Sequence, residues 1–310
     1  MKRLHFLLSL TTAANDYQAE QARAAEEAAI RAGATLKVVY ADNDSINQSQ
    51  QLIAAVHEPP ASRPDGILFE PVSATALPHV ARDAVAAGIG WVILNAETPY
   101  VTELRKKATA PVFAVSADHH EIGLIQGRQM AAVLPAGGPV LYIQGSSEHS
   151  AATQRTAGMM QTKPDNIQII TLRAKWTEES SLRAVESWLR LSTSQKAPIG
   201  AVFAQDDSMA MGARRAFERL TDPADRAKWL TLPFLGCDGL PETGQAWVRK
   251  GILAGTVVVP PNAGQAIEAL ANAMAKGGTH PPEKLLNAPR PYPRIEQLAQ
   301  LTAATSRVRV

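Results

Sequence analysis

The regular alternation of two kinds of segment constrains the fold of this chain more than any other feature of its sequence. Residues 4–10 and 36–40 are short apolar runs with the composition of buried strands. Residues 18–32, between them, are rich in alanine and glutamate, and this helical composition ends at Gly33. The alternation continues up to a strand-like segment at 112–116. Alternating strands and helices predict a parallel sheet with helices on both faces.

The alternation then runs a second time, from a helical segment at 121–134 to strand-like segments at 199–204 and 232–239. Residues 65–95 and 198–238 share one layout: strand, polar loop, alanine-rich helix, strand and polar residue. A chain of 310 residues, 45% of them hydrophobic, has material for more than one core. The sequence therefore predicts an α/β fold with two similar lobes.

Two adjacent carboxylates stand where a strand gives way to a helix. Asp206, Asp207 and Ser208 follow the apolar run 199–204. Open α/β sheets bind their ligands at the carboxyl ends of their strands. Because Asp207 or Ser208 is suited to cap the following helix, we expect Asp206 to face a ligand crevice.

A third carboxylate, Asp238, ends the next strand-like segment and has glycines close on either side. Carboxylates at the ends of successive strands suit a crevice that accepts hydrogen bonds from a polyhydroxylated ligand. The sequence is equally compatible with two acids that cap helices. At this point both interpretations stay open.

Composition excludes several classes of function. The net charge is +2 and no basic run marks a surface for nucleic acid or an anionic membrane. The single cysteine, Cys237, excludes an internal disulfide and a cysteine metal cluster, and its apolar surroundings predict a small buried side chain. No apolar run approaches the length of a membrane span. We interpret residues 4–10 as the first strand and expect no targeting segment.

Sequence signals of catalysis are missing. No glycine-rich dinucleotide or phosphate loop follows a strand. Residues 145–149 do not form a nucleophile elbow, and the adjacent His119 and His120 do not have the spacing of a zinc site. We therefore predict a protein that is not an enzyme and that uses no metal and no cofactor.

Several short motifs, in order along the chain, carry a family resemblance. The most specific are residues 205–213 and 236–239, and further matches lie at 15–18, 118–123 and 154–158. With these motifs the chain resembles the type I periplasmic solute-binding proteins of the ribose- and galactose-binding branch. That family shares its fold with the effector domains of the lactose-repressor family. The resemblance extends from residue 4 to about residue 288.

The resemblance implies two Rossmann-like lobes that are joined by three hinge crossings and close over a ligand. The first lobe would comprise residues 1–117 and 260–286, and the second residues 118–259 and 287–310.

The resemblance also implies a set of ligand contacts. Tyr17 and Trp176 would stack on opposite faces of a sugar ring, although Trp176 also fits an ordinary packed aromatic residue at the surface. Arg155 would provide a forked donor, an assignment that rests on the resemblance because an arginine on a helix is usually exposed. The complete set of expected ligand-binding residues is Asn15, Tyr17, Gln18, Asn95, Asp118, Arg155, Trp176, Asp206 and Asp238.

Departures from the family pattern bear on the ligand. Asn95-Ala96 stands where sugar-binding members often have Asp-Arg, and Ala117, Val259 and Cys237 replace a serine, a glutamine and an aromatic residue. We therefore expect a ligand other than ribose or glucose held in the familiar way: a different sugar, a cyclitol or another small polar molecule.

The function expected from this resemblance is non-enzymatic binding of a sugar-like solute for uptake or sensing. The implied partner is an ABC permease or a sensor kinase, with no nucleic acid, and we expect a monomer. The alternative is the effector domain of a lactose-repressor-like regulator, which the lack of a helix-turn-helix before residue 4 disfavours. An enzyme on the same fold is a third hypothesis, disfavoured by the missing motifs. Family members usually work in the periplasm, but without a recognisable leader an intracellular location stays open.

Overall fold

The computed structural model describes residues 3–73, 77–191, 198–277 and 279–308. The chain divides into two compact units. Unit 1 comprises Met1–Ala117, Glu148–Ser150 and Pro261–Asn287, and unit 2 comprises Asp118–Ser147, Ala151–Pro260 and Ala288–Val310. Both units are therefore assembled from segments that are distant in the sequence.

The described residues form strands and helices in nearly strict alternation. The strands are β1 His5–Leu10, β2 Thr35–Tyr40, β3 Gly66–Phe69, β4 Gly90–Leu94, β5 Val112–Ala117, β6 Gly138–Gln144, β7 Ile167–Arg173, β8 Ala201–Ala204, β9 Phe234–Leu235, β10 Thr256–Val258, β11 Lys284–Asn287 and β12 Arg290–Tyr292. The helices are α1 Asp16–Arg31, α2 Ser45–Val56, α3 Pro78–Ala86, α4 Tyr100–Lys107, α5 His119–Val133, α6 Ser150–Thr162, α7 Glu178–Leu189, α8 Asp207–Glu218, α9 Pro223–Leu230, α10 Gly244–Arg249, α11 Ala263–Ala275 and α12 Ile295–Val308. No helix in the described part of the chain has both the length and the apolar composition needed to cross a bilayer.

Unit 1 contains a six-stranded sheet in the order β11-β5-β4-β3-β1-β2. All of its strand pairs are parallel. The central strands β3, β4 and β5 are buried along their whole length, as expected for strands covered on both faces. One face packs against α2, α3 and α4 through Leu52, Val80 and Val101. The other face packs against α1 and α11, where Ile267 and Leu270 complete the core.

Unit 2 contains a four-stranded parallel sheet in the order β7-β6-β8-β9. A separate antiparallel pair joins β10 to β12. One face of the larger sheet packs on α7, α8 and α9, where Phe217 stacks on Trp229 with 4.9 Å between the ring centroids. The other face packs on α5 and α12 through Met130 and Leu298. Both units thus have the doubly wound α/β architecture that the sequence predicts, and the expected fold class is confirmed.

Candidate functional site

Buried polar side chains follow three strands of the unit 1 sheet. Asn15 lies beyond β1, Glu70 directly follows β3, and Asn95 directly follows β4. Their exposed fractions are 7%, 8% and 3%, respectively. Because the sheet is parallel, these residues share its carboxyl edge, where α/β proteins bind ligands.

Side-chain hydrogen bonds fix the loop between β1 and α1. The Asn15 Oδ1 atom caps α1 by accepting from the backbone N–H groups of Tyr17, at 2.9 Å, and Gln18, at 3.2 Å. The Gln18 Oε1 atom accepts from the backbone N–H of Thr11 at 3.2 Å. Tyr17 is thereby held in the first turn of α1 with only 7% of its surface exposed. The structure shows that Asn15 and Gln18 shape the loop that carries Tyr17, and the expected ligand contacts of these three residues stay a prediction.

Asn95 is the centre of a buried amide network. Its φ of 52° lies in the left-handed region, which asparagine tolerates better than most residues. Its Nδ2 atom donates to Glu70 Oε2 at 3.0 Å, and its Oδ1 atom accepts from Asn262 Nδ2 at 2.6 Å. Gln21 Nε2 donates to Asn262 Oδ1 at 2.8 Å and links the network to α1. Asn95 therefore positions Glu70, and a direct ligand contact from Asn95 itself stays a prediction.

Glu70 is a site candidate that the sequence analysis missed. Its backbone is anchored on both sides: its N–H donates to the Ser9 carbonyl at 2.9 Å, and its own carbonyl accepts from Gln48 Nε2 at 2.8 Å. A carboxylate this deeply buried is costly unless it receives hydrogen bonds. The signal was present in the sequence, because Glu70 follows an apolar strand in the same way as Asp206 and Asp238.

Arg155 is a buried cation in unit 2. Only 5% of its surface is exposed, which excludes the interpretation as a surface arginine. One Nη atom donates to the Gln205 carbonyl, and Nε donates to His119 Nδ1 at 3.4 Å. The guanidinium carbon lies 5.4 Å from the centre of the Trp176 ring. These contacts hold the planar fork of Arg155 in one orientation.

Close helix packing explains the position of Arg155. A Cβ atom on Gly123 of α5 would lie 2.1 Å from the carbonyl oxygen of Arg155 on α6. A Cβ atom on Gly158 of α6 would likewise lie 2.1 Å from the carbonyl oxygen of His120 on α5. Only glycine permits the two backbones to come this close. The motifs at 118–123 and 154–158 thus encode a helix contact that presents Arg155.

Trp176 is half-buried and has a φ of 61°. Its ring lies against Gly145, where an added Cβ atom would come within 2.3 Å of the ring. Trp176 is therefore packed between a glycine backbone and the Arg155 guanidinium. Its predicted stacking on a sugar ring stays a prediction.

The expectation that Asp207 or Ser208 caps α8 was wrong, whereas a ligand contact from Asp206 stays a prediction. Asp206 is the N-cap of α8, with an extended φ of −142°, and its Oδ1 atom accepts from the Met209 N–H at 2.5 Å. Asp207 accepts instead from the Gly239 N–H at its Oδ2 atom and from the Thr256 hydroxyl at its Oδ1 atom, both at 2.8 Å. The cap is the last residue with extended backbone, which is Asp206, so Asp207 already lies in the helix and points towards β10.

Asp238 does not cap a helix. The next helix, α10, begins at Gly244 and has Thr243 at its N-cap position. Asp238 is 6% exposed, and its φ of 107° is unusual for a residue with a side chain. Backbone hydrogen bonds of 2.9 Å to Val257 and Val259 hold it on both sides. Of the two interpretations left open by the sequence, helix capping describes Asp206 and fails for Asp238. Unusual backbone held in place by its surroundings is typical of functional sites.

Asp118 caps α5, because its Oδ1 atom accepts from the Glu121 N–H at 2.9 Å. This role accounts for its place in the motif at 118–123. Whether Asp118 also contacts ligand stays a prediction.

Gln205, whose carbonyl accepts from Arg155, is itself held by hydrogen bonds to uncharged groups. Gln205 donates from Nε2 to the Tyr142 hydroxyl at 2.9 Å and accepts at Oε1 from the Gly145 N–H at 2.9 Å. Burial raises the pKa of Tyr142 to about 12, so the hydroxyl stays protonated. Burial also raises the pKa of the Cys237 thiol, with Arg155 opposing and Asp238 reinforcing that shift. Cys237 is thus the small buried side chain that its surroundings predict, and both charged residues act on it.

In each unit, hydrogen-bond acceptors therefore follow the strands of a doubly wound sheet. Unit 2 also contains a forked donor, the Arg155 guanidinium. In the described part of the chain no three His, Cys, Asp or Glu side chains are arranged to hold a metal ion.

A family model described as a periplasmic binding protein domain matches residues 6–279. The chain belongs to this family. The resemblance to the type I periplasmic solute-binding proteins is thereby confirmed.

Two relatives and one solved structure show how this binding-protein family member compares with known proteins. A protein described as a putative rhizopine-binding protein of Rhizobium meliloti is 26% identical over 60% of this chain and 58% of its own length. The D-galactose/methyl-galactoside binding periplasmic protein of Haemophilus influenzae is 31% identical over 53% of this chain and 51% of its own length. The alignments thus span little more than half of these relatives. The crystal structure of a galactofuranose binding protein superposes with a TM-score of 0.78 over 97% of both chains, at 24% identity, and shows the shared fold.

Proposed function

We propose that this chain is a non-enzymatic binding protein for a small polyhydroxylated solute, a sugar or sugar-like molecule. The ligand contacts strand-end side chains of the kind described above. In this proposal the ligand shifts the equilibrium between open and closed states by binding the closed state more tightly. The residues that bind it are the predicted set together with Glu70.

The observation that carries this proposal is that Asp238, buried and capping no helix, and Arg155, also buried, both act on the pKa of the Cys237 thiol. The Asp238 carboxylate accepts hydrogen bonds, and the Arg155 guanidinium donates them. A hydroxyl group both donates and accepts, so neighbouring hydroxyls of a polyol match this pair. Such charge-assisted hydrogen bonds are stronger than those between neutral groups.

Carbohydrate-like ligands are favoured by the relatives as well. The matching proteins are described as binding rhizopine, galactose and galactofuranose. None of those reported above is described as an enzyme or a transcription regulator, so the regulator alternative gains no support from them. The departures at Asn95 and Cys237 favour a sugar or cyclitol other than ribose and glucose.

We further propose that the closed protein is recognised by a partner, either an ABC permease or a sensor kinase, and that the chain acts as a monomer. Family membership supports this proposal. Size-exclusion chromatography with light scattering, with and without ligand, tests the monomer expectation.

The test is a calorimetric titration with D-galactose, D-galactofuranosides, D-ribose and myo-inositol, preceded by thermal melts. At a hundred times its dissociation constant, a ligand should stabilise the folded state by about 2.7 kcal/mol. Asp238→Asn keeps the size of the side chain, and asparagine, like aspartate, tolerates positive φ. Its loss of a charged acceptor should weaken binding about 10- to 100-fold.

The matched control is Asp222→Asn, which alters an exposed N-cap of α9 in the same unit. It should leave the dissociation constant unchanged. If no polyol binds the folded protein, the proposed function is wrong, and if both variants bind equally well, the role assigned to Asp238 is wrong.

A further inference from the structure

Unit 2 contains a cavity of about 680 Å³ that lies at the opposite end of the sheet from Asp206 and Asp238. Gly200 and Pro233, which line it, directly precede β8 and β9. The candidate ligand residues instead follow those strands. Asp206 lies six positions after Gly200, or up to about 20 Å of extended chain, so the cavity is a separate feature.

The walls of the cavity are mainly aliphatic and come from several elements. They are the end of α5, α8 at Arg214, the end of α9 with the start of β9, the end of α10 with the turn after it, and α12. The principal apolar residues are Val133, Leu230, Phe234, Ile252, Leu298 and Leu301. Leu298 is buried at 2% exposure, whereas Leu301 is 58% exposed at the rim. The volume lies within the range of about 300–1,000 Å³ that is typical of small-molecule sites.

Among the residues that line the cavity, the charged ones are both arginines, Arg214 and Arg249. The Arg214 guanidinium lies 5.5 Å from the centre of the Phe234 ring, and its Nε atom pairs with Glu218 at 3.2 Å. The Arg249 side chain is anchored by one donor, which binds the Pro241 carbonyl at 3.0 Å. Each guanidinium has five N–H donors in a fork that matches a carboxylate. The cavity thus combines apolar walls with two positively charged side chains.

We propose that this cavity is a second binding site, for a monocarboxylate with an aliphatic body. The carboxylate pairs with Arg249 and Arg214, while the hydrocarbon lies against α5, β9 and α12. An uncharged ligand with the same aliphatic body does not pair with the arginines. A cationic ligand is repelled by them. The site therefore discriminates by charge as well as by apolar area.

The test is an isothermal titration of the full chain with sodium decanoate, below the concentration at which it forms micelles. Decyltrimethylammonium, a cation with the same chain length, is titrated in parallel. We expect decanoate to bind with one-to-one stoichiometry and the cation to bind at least tenfold more weakly. Arg249→Gln should weaken decanoate binding by about two- to fivefold, as expected for an exposed charge pair.

A second substitution, Leu301→Glu, adds a negative charge at the rim. Because Leu301 is exposed, this variant should fold normally and bind decanoate at least fivefold more weakly. The control is Arg183→Gln on α7, which removes an exposed arginine that pairs with Glu179 away from the cavity. It should leave binding unchanged. Equal binding of the cation, no binding of decanoate, or equal affinity in all three variants would overturn the proposal.

Discussion

The carboxylate of Asp207 should stabilise unit 2 more than any surface acid. Asp207 is 3% exposed and accepts two hydrogen bonds, from the Gly239 backbone and the Thr256 hydroxyl. Added Cβ atoms on Gly236 and Gly244 would lie 2.2 and 2.0 Å from its oxygens, so the surroundings are tightly packed. Each hydrogen bond to a charged acceptor contributes about 1.5–3 kcal/mol. Asp207→Ala should therefore lower the free energy of unfolding by about 3–5 kcal/mol, since the two losses are not fully additive.

Urea unfolding followed by tryptophan fluorescence measures this loss. The chain has five tryptophans, and Trp176, Trp188, Trp229 and Trp247 lie in unit 2, so the signal reports mainly on that unit. The control is Asp165→Asn, at an exposed position of the same unit, which should change stability by less than about 0.5 kcal/mol.

A double-mutant cycle isolates the bond between Asp207 and Thr256. Thr256→Val removes the hydroxyl with little change in shape, and it should cost much less in the Asp207→Ala background than in the wild-type chain. The expected coupling is about 1.5–3 kcal/mol. A coupling near zero, or an Asp207→Ala protein as stable as the control, would refute the role assigned to this carboxylate.

Two further predictions concern unit 2. Because burial raises the pKa of Tyr142 to about 12, the unfolded chain releases this proton at lower pH than the folded chain, so stability should fall between about pH 10 and pH 12. Tyr142→Phe should make that decline shallower in urea midpoints measured across this range, and an unchanged slope would contradict the assignment. Gly158→Ala should place a methyl group 2.1 Å from the His120 carbonyl and destabilise unit 2 by about 1–3 kcal/mol. The matched control is Gln161→Ala, at an exposed position of the same helix, which should leave the melting temperature nearly unchanged. Equal melting temperatures for these two variants would contradict the close contact between α5 and α6.

The sequence was sufficient for the architecture because the pattern that determines it is local. Buried parallel strands such as β4 are continuous apolar runs, and the helices between them end at glycines such as Gly33 and Gly88. Strand and helix composition therefore identify the doubly wound units without knowledge of any long-range contact.

The assignment of individual acids depended on contacts that the sequence does not display. The N-cap of α8 is the last residue with extended backbone, so a difference of one residue decides whether Asp206 or Asp207 caps the helix. The partners of Asp207 lie 32 and 49 residues further along the chain. Glu70 could have been found by applying the strand-end rule to every strand. The burial of Arg155 could not, because it depends on the contact between α5 and α6.

The discontinuous make-up of unit 1 has a consequence for its synthesis on the ribosome. The face of its sheet that carries α1 is completed by Ile267 and Leu270 of α11. The segment Pro261–Asn287 emerges only after nearly all of unit 2 has been translated. Until then the first 117 residues cover this apolar sheet face only with α1, and the part that packs against α11 stays exposed. The core of unit 2 is likewise incomplete until β12 and α12 have been translated. Neither unit can therefore complete its core before the last part of the chain leaves the exit tunnel.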